Sequence, residues 1–353
     1  MSSKVKKRTL IHDIARHLDV SIATVSLVLN GKAKQSRISD ALAQRVLAYV
    51  EEVGYKPNHL AKSLRTGKTH VIGLVVEDIS NPFFATVAWL IEKQAFERGY
   101  RIIYCSTDND TSKAKELISM FQDRHVDGYI IVPSEGLEEQ ISTILHENIP
   151  VVLFDRYLPE LPTNYIVVDG AKGMYEATQH LLDQGFSNIA FVTTDSKQTQ
   201  MEARLEGYVQ ALQEHNRPQR IKRVDTTHSE NILAEIHSFI RENRDCDAII
   251  FSTNYLSIYG LEVITQQKLR IPEDLAVVSY DDHDLFRLYT PAITVIAQPI
   301  ENIAKNVIDI LLNELKHQTD RQTTAHQTVV LPTSLIVRQS SVRSEVQLPE
   351  STK

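Results

Sequence analysis

Long apolar runs are missing from this sequence. No stretch approaches the roughly 18–20 residues needed to cross a bilayer. The basic residues 1–8 are not followed by a signal-type apolar segment with a small-residue cleavage site, so the expectation is a soluble, cytoplasmic protein without a membrane partner. Cysteine is scarce. Cys105 and Cys246 each lie inside an apolar run, which fits buried thiols in a reducing compartment better than a disulfide framework or a thiolate metal site. A phosphate-cradling Gly-rich loop, a GxSxG elbow, an HExxH helix and a CxxC pair are all absent, and the 13 histidines show no metal-ligand spacing. These absences argue against an enzyme, a cofactor and a metal.

A surplus of positive charge is also absent on average, with 38 Lys/Arg against 45 Asp/Glu and a net of −7. The average conceals a split. Residues 1–68 hold thirteen Lys/Arg and five Asp/Glu, a net of +8, so the remainder carries −15. A basic head on an acidic body holds a polyanion at one end and repels it from the rest. The length of 353 residues, with 42% hydrophobic and 24% charged residues, predicts two or three folded domains.

The head reads as three short helices. Leu10, Ile14 and Leu18 recur every four residues, which predicts one apolar helical face. Ser21 is an N-cap candidate for a helix over 22–30, with Gly31 as the stop. Ser39 opens a third helix that carries Leu42, Val46, Val50 and Val53 inward. In a helix-turn-helix, the first turn of the second helix meets base edges in the major groove. On that geometry Val25 and Leu29 face the core, while Ile22, Ala23, Ser26 and Leu27 project outward. Ser21 and Thr24 are placed to serve phosphates, and Lys32, Lys34 and Arg37 to neutralise them. The plain alternative is a small module whose solvated basic face binds protein.

From residue 70 onward, short β-rich runs (71–76, 101–105, 128–132, 151–154, 165–168, 189–192, 248–251 and 275–279) alternate with helical stretches (84–98, 112–124, 174–184 and 204–215). That alternation predicts two parallel sheets with helices on both faces, and a cleft at the strands' carboxyl ends. Residues 340–353 are polar and are expected to form a flexible tail.

The segments Asp13-Ile14-Ala15, Ala23-Thr24-Val25-Ser26, Val28-Leu29-Asn30-Gly31, Gly54-Tyr55-Lys56-Pro57-Asn58 and Ala61-Lys62-Ser63-Leu64-Arg65 resemble successive signatures of the LacI/GalR repressor family. The resemblance continues through Asn81-Pro82-Phe83-Phe84, Arg204-Leu205-Glu206-Gly207-Tyr208, Ser279-Tyr280-Asp281-Asp282 and Pro291-Ala292-Ile293-Thr294, and covers about residues 9–340. It implies a small all-α helix-turn-helix domain (1–56) and a hinge helix and linker (57–69). An α/β two-lobed periplasmic-binding-protein-like domain (70–339) follows, its N-lobe 70–168 plus 300–329 and its C-lobe 169–298 plus 330–339. It also implies a homodimeric regulator, most often a repressor of carbohydrate genes, on roughly palindromic operator DNA, under a small effector such as a sugar or sugar phosphate. Purines and protein corepressors remain alternatives, as does a cytoplasmic solute-binding protein.

By the same resemblance, Asn30 joins the recognition helix, and Asn58, Ala61, Leu64 and Arg65 address the minor groove, with Leu64 as an apolar wedge. Phe83, Phe84, Asp155, Arg204, Asn254 and Asp281 are the implied effector contacts. The plain readings are that Phe83 and Phe84 are core, and that Arg204 caps a helix or pairs with Glu206 or Asp195. The sequence departs from the family pattern at three places. Leu27 stands where Arg is common and cannot hydrogen-bond guanine. Asp19 replaces the usual Gly, and Tyr255 the usual Asp. Asp281-Asp282-His283-Asp284 superficially suggests a metal site, but consecutive side chains need not converge. Residues 342–353 lack Leu heptads, which favours a dimer over a tetramer.

Overall fold

The computed structural model describes residues 9–55, 67–226, 229–317 and 326–343. The chain divides into two compact units, Met1–Thr69 and His70–Lys353. The hinge residues Asn58, Ala61, Leu64 and Arg65 lie outside the described residues.

The first unit consists of α1 (Ile11–Leu18), α2 (Ile22–Leu29) and α3 (Asp40–Glu52). Its core is Ile14, Ala15, Val25, Val28 and Val46. Leu10 is not part of the apolar face that its spacing implied. It precedes α1 as the N-cap residue and is 50% exposed, because its extended backbone leaves the helical register before the stripe begins. Val28 was also missed, and is more deeply buried than Leu29. Ser21 Oγ caps α2 by accepting the Thr24 N–H at 3.0 Å, and Ser39 Oγ caps α3 by accepting that of Leu42.

Asp19 ends α1 in the left-handed conformation, at φ 53°. There its backbone reverses the chain into α2, a position that glycine fills without steric cost. Asp19→Gly should therefore remove strain of about 1 kcal/mol, partly offset by the extra freedom of the unfolded chain. Slower amide exchange at Ile14 is the expected readout, and faster exchange would contradict the argument.

In the second unit the N-lobe holds β1 (Val71–Val76), α4 (Pro82–Glu97), β2 (Arg101–Ser106), α5 (Thr111–Asp123), β3 (Gly128–Ile131), α6 (Glu138–His146), β4 (Val151–Phe154) and β5 (Asn164–Val168). The chain then crosses to α7 (Gly170–Asp183), β6 (Ile189–Thr194), α8 (Thr199–Glu214), β7 (Arg220–Val224), α9 (Ser229–Glu242), β8 (Ala248–Phe251), α10 (Asn254–Gln266), β9 (Ala276–Tyr280), α11 (Asp284–Leu288) and β10 (Thr294–Ala297). It returns to the N-lobe for α12 (Ile300–His317) and β11 (Thr328–Leu331), then crosses again to β12 (Ser334–Ile336).

The strand orders are β11-β5-β4-β3-β1-β2 and β12-β10-β9-β8-β6-β7, the same winding in each lobe. Every pairing is parallel except that of β12 with β10, so the C-lobe sheet ends in one antiparallel edge. Apolar clusters cover both faces of each sheet. Burial on both sides is why the strands read as continuous Val/Ile runs rather than alternating ones.

Two expected boundaries shift. Residues 330–331 belong to the N-lobe, because Thr328–Leu331 pairs in register with Tyr165–Val168. The ordered body also runs past residue 339. Ser340 and Ser341 are fully buried: Ser340 Oγ donates to Val277 O (2.6 Å), and Ser341 Oγ lies 2.8 Å from His180 Nε2. A tail starting at Ser340 is thus wrong, because these small hydroxyls satisfy backbone and ring groups that would otherwise be orphaned in the C-lobe.

Candidate functional site

On the first unit, the residues expected to face DNA come together on the start of α2 and the loop after it. Ser21, Ile22 and Ala23 are exposed, Thr24, Ser26 and Leu27 half-buried, and Asn30, Lys32, Lys34 and Arg37 exposed. Ile22 shows 50% of its surface to solvent, so its apolar side chain is free for contact. Some polar groups are already engaged. Ser21 Oγ lies 2.8 Å from Thr24 Oγ1, and Asn30 Nδ2 donates to the Ser26 carbonyl (2.7 Å) and to Ser26 Oγ (3.3 Å). The tip of α2 therefore offers apolar contact through Ile22 and Ala23, flanked by three cations.

On the second unit, a cleft of about 750 Å³, partly open to solvent, lies between the lobes. All six expected effector contacts, Phe83, Phe84, Asp155, Arg204, Asn254 and Asp281, line it. The fold explains the convergence. Asp155 directly follows β4 and Asp281 directly follows β9, strands that hold the same place in the two sheets. Both residues have φ 68°, a strained conformation of the kind that collects at binding sites.

Phe83 and Phe84 occupy the first turn of α4, 5.0 Å apart edge to face. They contribute to the N-lobe core and to the cleft wall at once. Arg204 projects from α8, which packs tightly on α7: a Cβ on Gly207 would lie 2.0 Å from the Ala171 carbonyl oxygen. The guanidinium neither caps a helix nor pairs with Glu206 or Asp195. It stacks on the Tyr280 ring at 3.6 Å, and Nη1 donates to the Ser252 carbonyl at 2.7 Å. Its Nε is buried and unpartnered among the described residues.

Burial dominates the electrostatics. Asp155 is pushed up to about 6 by desolvation, which Glu77 and Asp281 reinforce and Arg156 and Arg204 oppose. Burial likewise raises Asp281, against Arg204 and the Gln298 amide that donates to it at 2.6 Å. Three polar bridges join the lobes across the cleft. Asn254 Nδ2 donates to Asn81 Oδ1 (2.9 Å), Gln200 Nε2 to Asp155 Oδ2 (3.3 Å) and Gln198 Nε2 to Asn109 Oδ1 (3.4 Å). Gln200 sits on the first turn of α8.

Glu77, Asn109, Thr194 and Gln298 also line the cleft and were not anticipated. Each lies at or just beyond the carboxyl end of a strand (β1, β2, β6 and β10), a rule that would have found them. The Asp281-Asp282-His283-Asp284 run does not converge. Asp282 pairs with Arg338 (2.8 Å), His283 Nδ1 accepts the Leu285 N–H, and Asp284 pairs with Arg287.

A basic three-helix reader in one chain with a two-lobed α/β unit around a polar cleft defines a two-part DNA-binding regulator. Residues 10–58 match the family described as bacterial regulatory proteins, lacI family, and residues 178–341 match a periplasmic binding protein-like domain. The HTH-type transcriptional regulator DegA of Bacillus subtilis (strain 168) is 32% identical over 95% of this chain and 98% of its own length. The crystal structure of the lac repressor dimer bound to operator and the anti-inducer ONPF superposes with a TM-score of 0.82 at 21% identity, covering 96% of this chain and all of that one. A transcriptional regulator CelR–cellobiose complex superposes at 0.69 with 25% identity, covering 94% of this chain and 100% of that one.

The chain belongs to the lacI family of bacterial regulatory proteins; it is a DNA-binding transcriptional regulator and not an enzyme.

Proposed function

We propose that this regulator is a cytoplasmic repressor of carbohydrate-metabolism genes, and that a sugar-like effector in the inter-lobe cleft sets its affinity for operator DNA. The observation that carries the reading is the convergence of a half-buried and a buried carboxylate, a buried guanidinium and two phenylalanine rings on one cavity. Charged side chains offering paired hydrogen bonds suit a polyhydroxylated ligand, and ring faces suit its C–H surfaces. CelR, similar over nearly the whole chain, was solved with cellobiose. No described helix is long and apolar enough to cross a membrane.

The reader contacts base edges through Ile22, Ala23, Ser26 and Leu27, with Asn30 at the end of the same helix, and phosphates through Ser21, Thr24, Lys32, Lys34 and Arg37. Asn58, Ala61, Leu64 and Arg65 address the minor groove. The protein works as a homodimer. Trp89 and Phe96, seven residues apart on α4, are 58% and 57% exposed, and Tyr104 on the edge strand β2 is 60% exposed. In the C-lobe, Leu285 and Leu288 are 40% and 81% exposed. Such apolar surface on both lobes fits burial against a second copy.

A thermal-shift screen of sugars tests the effector assignment, since a ligand of the folded state raises its apparent stability. At least one sugar should stabilise the wild type and fail to stabilise Asp281→Asn. A sugar that stabilises both proteins equally would remove Asp281 from the site.

A further inference from the structure

The charges that line the cleft do not balance. Among the described residues, half-buried Asp155 and buried Asp281 and Arg204 carry a net of −1 when both carboxylates are ionised, because Glu77 is neutralised by Arg156 at 2.8 Å. Asp195, exposed at the mouth, adds a further negative charge. No ion pair within 4 Å engages Asp155, Asp195 or Asp281 among the described residues. Arg204 is held at the wall by the Tyr280 ring and the Ser252 carbonyl; its charge lowers both carboxylates without forming an ion pair to either. Those carboxylates accept only neutral amides, from Gln200 and Gln298. The helix starts that could recruit an anion are already capped at two of the three cleft positions. Asn81 Oδ1 accepts the Phe83 N–H, and Thr253 Oγ1 that of Leu256.

Once a ligand displaces the water of the cleft, one uncompensated negative charge is costly, and the group either takes a proton or is paired with a cation. We propose that the effector carries one positive charge, a protonated amine on a polyhydroxylated framework, seated between Asp155 and Asp281. The inference rests on the effector reading of the cleft and narrows it. A sugar phosphate would add about two charges of the wrong sign to a site already negative. A neutral sugar would leave the imbalance unrelieved unless Asp155 were protonated. The groups facing Asp155 are Arg156 beside it, Arg204 on α8, Glu77 after β1 and Asp281 after β9. Because Asp155 titrates near 6, a cation binds its ionised form. Affinity for an amine should therefore rise as pH increases through 6, level off above it, and fall below it.

The test is calorimetric binding of matched hexose sets to the intact protein at pH 5 and pH 7. Glucosamine, glucose and glucose 6-phosphate form one set, and the galactose and mannose equivalents form the others. In the set whose stereochemistry fits, the amine should bind about tenfold or more tighter than the neutral sugar at pH 7, as a charge-assisted hydrogen bond requires. The phosphate should not bind, and the amine's advantage should shrink at pH 5. Asp155→Asn preserves shape and tolerates positive φ, and it should abolish the amine's advantage over the neutral sugar of the same set. A neutral or phosphorylated member that binds as tightly as the amine overturns the inference while leaving the effector reading intact. An amine preference that survives both Asp155→Asn and Asp281→Asn overturns it as well. If no member of any set binds, the sugar-like reading fails and the inference fails with it.

Discussion

Arg204→Ala should abolish effector control: affinity for the effector is expected to fall about a hundredfold or more, while DNA binding without effector stays within a few-fold of wild type. Arg204 is 3% exposed, and its charge opposes the rise of both carboxylates, after Arg156 at Asp155 and as the first opposing charge at Asp281. Truncating one partner of a buried charge set costs about 2–5 kcal/mol, mostly because the remaining charges lose compensation. Both carboxylates should then titrate higher still. The substitution also removes the stack on Tyr280 and the bond to Ser252 O, so a moderately lower melting temperature is expected. Arg204→Lys should restore little, because an ammonium reproduces neither the planar stack nor the fork of donors. Calorimetry for the effector and anisotropy for DNA separate the two effects. An Arg204→Ala protein with near-normal effector affinity would remove this residue from the site.

The second large effect is expected in the reader. Lys32, Lys34 and Arg37 are exposed, and no ion pair within the described residues engages them. Each phosphate they neutralise releases condensed counterions, which steepens the fall of affinity with salt by about 0.9 per contact in a log–log plot. Replacing all three with Ala should lower that slope by about 2–3 per protomer and weaken specific and random duplexes alike. Ile22→Ala should behave differently. It removes an apolar base-edge contact, carries no charge, and should lower discrimination between duplexes without changing the slope. If the triple variant leaves the slope unchanged, the loop does not lie on the phosphate backbone.

Much of this was legible in the chain because each legible feature has a local cause. Ser21 and Ser39 cap helices through hydroxyls that sit one position before the first helical residue. Strands buried on both faces announce themselves as short Val/Ile runs, and Asp155 and Asp281 stand out because each directly follows such a run. What escaped depended on tertiary partners. Ser340 and Ser341 look like polar tail, and only Thr294, His180 and Val277 make them core. Arg204 offered Glu206 and Asp195 as sequence neighbours, yet it chose an aromatic face and a carbonyl brought in from β9 and the end of β8. Gln298 and Glu77 follow the same strand-end logic as the two aspartates: Glu77 directly follows the run 71–76, and Gln298 follows β10, which was not among the expected runs.

The lobes are joined by three chain crossings and three polar bridges over the cleft, and a ligand between the lobes would favour the relative arrangement it contacts best. Coupling between such a cleft and the reader is typically about 1–3 kcal/mol, or roughly 5–150-fold in affinity. The most direct measurement is fluorescence anisotropy of the intact protein on a palindromic duplex selected from a random pool, at fixed moderate salt, with and without the effector found by thermal shift. A strong preference for that duplex over random DNA, changed at least fivefold by the effector in wild type and not in Arg204→Ala, is the predicted result. Equal binding to both duplexes, or an affinity that the bound effector leaves untouched, would contradict it.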